Sequence, residues 1–176
     1  MAALFLSVRG MPQRNIAAMN VPLTLSKAAA ADAEAILAIE RASFSRPQEM
    51  FNRRQIRYLL RSPHAVAFVA RARGGETLGW AVGLIRRRDG LTWGRIYALA
   101  VHPRARGAKL GRRLMDRTIQ SLRRGGAQKI FLEVRDDNAP ALALYRAMDF
   151  VPRRSLPDYY GRGVHGLQMV LDMNWR

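Results

Sequence analysis

Cysteine is absent from the 176-residue chain. Disulfide bonds, thiolate nucleophiles and cysteine-ligated zinc sites are therefore excluded. Histidine is almost as scarce, because the three histidines, His64, His102 and His165, are far apart in sequence and form no i, i+4 pair. Without such a pair no metal site is expected.

Long apolar runs are also missing, since no stretch approaches the roughly 20 residues that cross a membrane. We therefore expect a soluble, cytoplasmic protein with no membrane partner. Residues 1–21 contain no acidic side chain. Their short apolar run comes before the first basic residue, whereas a secretory signal has its positive charge before the apolar run. They are interpreted as a flexible tail, as residues upstream of a true start at Met11 or Met19, or as a transit peptide. Residues 22–176 are predicted to form one domain.

Acidic residues are few, 13 against 30 lysines and arginines, which gives a formal net charge of +17. Such a charge favours polyanionic partners such as ribosomes or RNA. Only three of the basic residues are lysines, and the arginines are scattered. A composition bias that leaves a solvated basic surface is therefore the alternative. Nothing in the sequence indicates the oligomeric state.

Hydrophobic periodicity and turn residues divide the domain into alternating strands and helices. Asp32 and Asn138 are candidate helix N-caps, and Gly125 and Gly126 form a stop signal. The order predicts an α/β (mixed α+β) fold, with a central, mostly antiparallel mixed sheet of about seven strands flanked by about four helices. Strands are predicted over 22–28, 65–72, 77–88, 92–102, 128–137, 149–154 and 164–175, and helices over 31–44, 47–62, 111–126 and 138–148.

The segment VHPRARGAKLG, residues 101–111, connects an apolar strand to a helix. Main-chain N–H groups converge at a helix start, where anions bind, and Arg106 and Arg112 add positive charge. Lys109 stands in the middle of this loop, where glycine would let the backbone come closest to an anion. An ordinary turn with solvated arginines is the alternative interpretation.

Together with LEVRDDNAPALALYRAMDF, residues 132–150, this loop makes the chain resemble the GNAT superfamily of N-acetyltransferases, in particular ribosomal-protein alanine and other protein N-terminal acetyltransferases. The resemblance extends over nearly all of residues 23–172. Arg106 to Gly111 match both ends of the family's cofactor loop, Q/R-x-x-G-x-G/A, with Lys109 at the central glycine. The resemblance implies acetyl-CoA as co-substrate and no metal. The cofactor-binding residues that it implies are Leu99, Val101, Arg106, Gly107, Ala108, Lys109, Leu110, Gly111, Arg112 and Asn138.

Glu133 and Tyr145 are the candidate catalytic residues. Glu133 lies within the apolar strand IFLEVR, where desolvation would raise its pKa toward neutrality, as a general base requires. The resemblance implies that Glu133 is this base and that Tyr145 is the acid that protonates the departing CoA thiolate. Two alternatives stay open: Glu133 in an ion pair with Arg135 or Arg95, and Tyr145 as a core residue.

The acceptor is the least defined partner. The resemblance implies that it is bound by four aromatic residues: Phe44, Tyr97, Tyr159 and Tyr160. For Tyr159 and Tyr160, an ordinary pair of surface-loop residues is the alternative. Many relatives carry acidic residues after the tyrosine pair, whereas residues 161–166 here read GRGVHG, and nearby arginines would repel a polycation. We therefore expect transfer to a protein or peptide N-terminal α-amine. The alternatives are a small-molecule amine acetyltransferase and a non-catalytic basic binding protein on the same scaffold.

Overall fold

The computed structural model describes residues 22–44, 46 and 49–173. The predicted tail, 1–21, lies outside the described residues, as do 174–176. Within the described residues seven strands form one sheet in the order β1-β2-β3-β4-β5-β7-β6, in which only β4 and β5 pair in parallel, and this confirms the predicted sheet. The strands are β1 (Leu23–Lys27), β2 (Ala65–Ala72), β3 (Thr77–Arg88), β4 (Leu91–Val101), β5 (Lys129–Arg135), β6 (Val151–Leu156) and β7 (Gly166–Asp172).

The described residues form four α-helices, as predicted: α1 (Ala33–Ser43), α2 (Arg53–Arg61), α3 (Leu110–Arg124) and α4 (Ala139–Arg146). The bounds 47–62 predicted for α2 are wrong, because the helix begins only after Asn52. The Asn52 side chain accepts from the Gln55 N–H at 2.9 Å, and the Gln55 side chain accepts from the Asn52 N–H at 2.9 Å. This capping box starts the helix even though Met50 and Phe51 continue the apolar period.

The two predicted N-caps differ. Asn138 caps α4, since its side-chain oxygen accepts from the Ala141 N–H at 3.2 Å. Asp32 occupies the N-cap position of α1 but makes no capping hydrogen bond. Its carboxylate instead accepts from the Ala29 N–H at 2.7 Å and pairs with Arg71 on β2. The helix-start pattern therefore predicts the position of Asp32 correctly, but it does not predict which groups its carboxylate contacts.

Helices cover the two faces of the sheet. Side chains of α1 and α2, such as Ile36 and Ile56, are buried with Trp80 of β3 on one face. Side chains of α3, such as Leu114, are buried with Ile130 of β5 on the other face, where α4 also packs. Removal of this apolar surface from water is the main force that holds the layers together.

Glu40 is a fully buried carboxylate that joins α1 to its neighbours. It accepts hydrogen bonds from the Trp80 indole N–H at 2.7 Å and from the Phe51 main-chain N–H at 2.8 Å. Desolvation raises the pKa of Glu40 to about 7, although these two hydrogen bonds oppose the shift. Glu40 therefore fixes the chain segment that leads into α2.

The helices are short, and the longest, α3, has 15 residues. No helix in the described part of the chain is both long and apolar enough to cross a membrane. Across residues 22–44, 46 and 49–173, no group of three or more His, Cys, Asp or Glu side chains is placed to hold a metal ion.

Strands β4 and β5 separate soon after they meet. They pair only between Trp93–Arg95 and Lys129–Phe131, although β4 continues to Val101 and β5 to Arg135. The sheet therefore opens between the carboxyl-terminal halves of two parallel strands. Such an opening is a common place for a ligand, because the strand edges there expose main-chain groups.

A β-bulge lies in the same part of β4. Val82 pairs with Ala98 and Gly83 pairs with Ile96, so Tyr97 is the extra residue. A bulge redirects the side chain of the unpaired residue and bends the strand. Tyr97 consequently departs from the alternation of β4, next to the opening.

Candidate active site

The main chain of Leu99 and Val101 faces the opening between β4 and β5. Opposite residues of an antiparallel pair alternate between hydrogen-bonded and non-hydrogen-bonded. The His102 N–H donates to the Leu78 carbonyl at 2.8 Å, so Val101 belongs to the non-hydrogen-bonded class, as does Leu99 two residues earlier. Their N–H and C=O groups point away from β3, and the Val101 carbonyl accepts from the Ser43 hydroxyl at 3.3 Å. This orientation suits the cofactor binding that is predicted for both residues.

The loop before α3 explains the family preference for glycine at the position of Lys109. Lys109 has φ 55° and ψ 17°, in the left-handed region that glycine adopts without strain. Gly107, with φ 80°, takes a similar conformation two residues earlier. No described side chain caps α3, so its first N–H groups can bind an anion.

A cavity of about 610 Å³ lies over this loop. It contains most of the predicted cofactor-binding residues, but Ala108, Leu99 and Asn138 do not line it. The Leu99 side chain is in the core, and Asn138 is buried as the α4 cap. The lining residues are Val101, Ala105, Arg106, Gly107, Lys109, Leu110, Gly111, Arg112, Pro140 and Leu144.

Arg106 is the second feature of this cavity, after the uncapped start of α3, that suits an anion. Burial lowers the pKa of its guanidinium. The Arg106 Nε atom is buried and has no hydrogen-bond partner among the described residues. A buried cationic donor without an acceptor is costly unless a ligand supplies one. The uncapped start of α3 and Arg106 together fit the phosphate groups of CoA.

Glu133 is buried but not isolated. Its Oε2 accepts from Arg95 Nε at 2.9 Å, and its Oε1 accepts from Gln168 Nε2 at 2.8 Å. Arg153 Nη1 donates to Gln168 Oε1 at 2.9 Å, which orients the amide. The ion pair with Arg95, which the sequence left open as an alternative, is therefore present. Arg135 pairs with other carboxylates instead.

Arg95 connects Glu133 to the tyrosines. Its Nη2 donates to the Tyr159 hydroxyl at 3.0 Å, and its guanidinium carbon lies 4.8 Å from the centre of the Tyr97 ring. Burial alone would lower the pKa of Arg95, but the Glu133 carboxylate reverses this effect and the net shift is upward. A fixed cation thus stands beside the candidate base. The sequence marked Arg95 only as one ion-pair alternative.

Tyr145 is fully buried beside Phe150, with the ring centres 6.0 Å apart. Desolvation, followed by its interaction with Tyr160, raises the pKa of Tyr145 well above its ordinary value. Tyr160 packs edge-on against Tyr159 at 5.0 Å. Tyr145 therefore keeps its proton, which a general acid requires and which a core tyrosine also would show. The tyrosines form a connected series from Tyr145 toward Glu133.

A second cavity, of about 680 Å³, lies on the α2 side of the same cluster. Of the predicted acceptor residues, Tyr97 and Tyr159 line it, whereas Tyr160 does not. Phe44 is buried in the core beneath α1. Most lining residues belong to α2 and β3, which the sequence did not mark. They are Phe51, Asn52, Arg54, Gln55, Tyr58, Leu59, Leu84, Arg86, Arg95, Tyr97 and Tyr159.

Comparison with known proteins identifies the family. The Acetyltransferase (GNAT) family matches residues 33–150. The N-alpha-acetyltransferase RimI of Mycobacterium tuberculosis is 34% identical over 134 residues, which cover 73% of this chain and 78% of that protein. Mycothiol acetyltransferase of Saccharomonospora viridis is 30% identical over 129 residues, 68% of this chain, but the chain matches only 42% of the length of that relative.

Solved structures agree on the fold. The ribosomal-protein-S18-alanine N-acetyltransferase from Escherichia coli matches with a TM-score of 0.73 at 22% identity, over 86% of this chain and 94% of that one. The fold, the family match and the sequence relatives lead to the same assignment. The chain belongs to the GNAT acetyltransferase family and is an acetyl-CoA-dependent N-acetyltransferase.

Proposed function

We propose that this enzyme acetylates the N-terminal α-amine of a peptide or protein. The observation that supports it most is the 680 Å³ cavity, whose lining residue Arg95 pairs with the candidate base Glu133. Glu133 itself lines a neighbouring cavity of about 590 Å³, which Arg95 also lines. The described residues that line this cavity include tyrosines and arginines but no carboxylate. A polyamine or an aminoglycoside would need carboxylates there to offset its charges, whereas a peptide carries one cationic amine.

The chemistry of the amine supports the same choice. An α-amine has a pKa of roughly 7.7 to 8.0, against roughly 10.4 for a lysine side chain. A usable fraction of the α-amine is therefore neutral, and so nucleophilic, at pH 7.

Acetyl-CoA supplies a thioester carbonyl for the amine to attack. In the proposed mechanism Glu133, directly or through one water, accepts the proton that the amine loses. Arg95 and Gln168 hold the carboxylate, and each carboxylate oxygen has a further lone pair for that proton. Tyr145 donates its proton to the departing sulfur. Alignment of the two substrates supplies much of the remaining rate enhancement.

Different residues are proposed to bind different parts of the cofactor. Arg106, Lys109 and the first N–H groups of α3 bind the phosphates, together with Arg112 at the same helix start. The main chain of residues 99–101 holds the pantetheine arm in the opening between β4 and β5. Asn138 acts through the helix that it caps.

The relatives of this chain include two kinds of enzyme, which differ in the acceptor that their names give. The Mycobacterium tuberculosis relative is named an N-alpha-acetyltransferase, and the Escherichia coli structure is that of a ribosomal-protein-S18-alanine N-acetyltransferase. The mycothiol acetyltransferase, at similar identity, favours a small-molecule amine as the second candidate. The basic lining of the cavity supports the first candidate over a polycationic small molecule.

Mass spectrometry of three acceptors tests the proposal. Each is incubated with acetyl-CoA: a peptide with a free α-amine and an internal lysine, the same peptide with a blocked α-amine, and a small aminosugar. We expect acetylation of the free α-amine only. Modification of the aminosugar alone would overturn the proposal. The Glu133→Gln enzyme is the control for non-enzymatic transfer.

The net charge of +17 extends the proposal to a cytoplasmic enzyme that associates with ribosomes or RNA. Binding of this kind weakens steeply with salt, because it depends on neutralised phosphates. Co-sedimentation with ribosomes should therefore be strong in a buffer of about 10 mM salt. It should be lost at about 0.5 M salt, where screening is much stronger. Absence of binding at low salt would leave the arginines as a composition bias.

A further inference from the structure

The arginines of the acceptor cavity are not equivalent. Arg95 is compensated, because it lies 2.9 Å from the Glu133 carboxylate. Arg54 and Arg86 also line the cavity, and neither forms a salt bridge with a carboxylate of the described residues. The acceptor side of the site therefore carries two cations whose charge is available to a ligand.

Arg86 is held in place although it is exposed. Its Nη2 donates to the Tyr97 hydroxyl at 2.8 Å, and its guanidinium carbon lies 5.8 Å from the centre of the Tyr97 ring. The remaining N–H groups of the guanidinium are still available to a carboxylate. An arginine that is already ordered loses less conformational entropy when it binds a ligand.

Arg54 is the one arginine in its turn of α2 that stays uncompensated within the described part of the chain. Its neighbours Arg53 and Arg57 both pair with Glu34, at 2.8 Å and 3.5 Å. Arg54 instead lines the cavity beside Tyr58, whose side chain is 73% exposed. The charge pattern of α2 thus directs an unpaired cation toward the acceptor.

The strand register gives the spacing along the acceptor. Arg86 lies opposite Trp93, and Leu84 lies opposite Arg95, so Arg86 is two residues along the sheet from the cation beside Glu133. Trp93 in turn pairs with Lys129 of β5, and Glu133 lies four residues beyond Lys129, so four residues of extended chain, about 13 Å, separate Arg86 from Glu133 along the sheet. A peptide whose α-amine lies at Glu133 would therefore bring its third or fourth side chain to Arg86.

We infer that the enzyme selects acceptors with an aspartate or glutamate at the third or fourth residue, held by Arg86 and Arg54. This selectivity rests on the proposed α-amine acetylation and names its substrate class. A carboxylate would accept hydrogen bonds from the two guanidinium groups, whereas a lysine at the same position would be repelled. The α-amine itself remains at Glu133, beside Arg95, which lines the acceptor cavity.

Peptides that differ at two residues test the inference. Three peptides share a sequence except for Asp, Asn or Lys at both positions 3 and 4, and kcat/KM is measured for each at low salt. We expect a roughly tenfold preference for Asp over Asn, mainly through KM, with Lys lowest. The preference should decrease in about 0.5 M salt, because the Debye length is then only about 4 Å and the charges are screened from each other. Equal kcat/KM for the three peptides overturns the inference and leaves α-amine acetylation standing.

Matched variants locate the preference. Arg86→Gln and Arg54→Gln should each lower the Asp-to-Asn ratio about threefold. Arg73→Gln removes the same charge in the exposed β2–β3 turn and should leave the ratio unchanged. A ratio that survives both cavity variants overturns the inference. If no peptide is acetylated while the aminosugar is, the proposed function fails as well, so the two failures are distinguishable.

Discussion

Replacement of Lys109 by glycine should stabilise the fold. Lys109 adopts φ 55° and ψ 17°, and the left-handed region costs a residue with a Cβ atom about 1–2 kcal/mol. Glycine avoids this strain, but it gives the unfolded chain more freedom, which costs about 0.4–1 kcal/mol. The difference is a gain of roughly 0.5–1 kcal/mol in the free energy of unfolding. For a domain of this size that raises Tm by about 1–4 °C.

Lys109→Ala is the matched control, because alanine keeps the Cβ atom and loses only the charge. Its Tm should stay close to that of the wild type. Acetyl-CoA binding should respond differently, since Lys109 lines the cofactor cavity. Loss of a charge-assisted hydrogen bond weakens binding by roughly 1.5–3 kcal/mol in Lys109→Ala. Lys109→Gly should fall between wild type and Lys109→Ala, because its backbone can come closer to the phosphates.

Thermal unfolding and calorimetric titration with acetyl-CoA measure the two effects on the same three proteins. A Tm gain of equal size in Lys109→Ala and Lys109→Gly would refute the strain argument. Acetyl-CoA binding that is tighter in Lys109→Gly than in the wild type would refute the idea that the lysine charge replaces backbone proximity. Lysine would then be an obstruction in the loop.

Three further predictions concern buried ionisable groups. Glu133→Gln should lower kcat about 10²- to 10⁴-fold without weakening acetyl-CoA binding, and an unchanged pH–rate profile would count against a base role. Tyr145→Phe should keep the fold and lower kcat, so a fully active variant returns Tyr145 to the core. Because burial raises the pKa of Glu40 to about 7 from 4.5, its stabilising contribution is full below pH 4.5 and is lost as pH rises through 7. In urea unfolding, the wild type should lose up to about 3 kcal/mol relative to Glu40→Gln over this range, and a pH-independent difference would contradict this.

The helices and strands could be predicted from the sequence because their signals are local. Gly-containing turns delimit β2 and β3, and Asn138 caps α4 as the pattern indicates. The error at α2 has a local cause too, since the capping box at Asn52 competes with an apolar period that begins earlier. Local signals decide which element forms, but they do not decide what its side chains meet.

The contacts of the site depend on register, which the sequence does not encode locally. Gln168 contacts Glu133 because the two residues lie opposite each other on β7 and β5. A shift by one residue would move each side chain to the other face of the sheet. For the same reason Arg54 and Arg86 could not be distinguished from the other arginines before α2 and β3 were placed around one cavity.

Amide hydrogen exchange, followed by NMR, tests most directly whether acetyl-CoA binds between β4 and β5 and at the start of α3. Saturating acetyl-CoA should slow exchange at Leu99, at Val101 and over residues 107–112, because these N–H groups would then donate to the ligand. The exposed turn at residues 73–76 should be unaffected. Unchanged exchange at 99–101 and 107–112, with slowing confined to another surface, would contradict the proposed site.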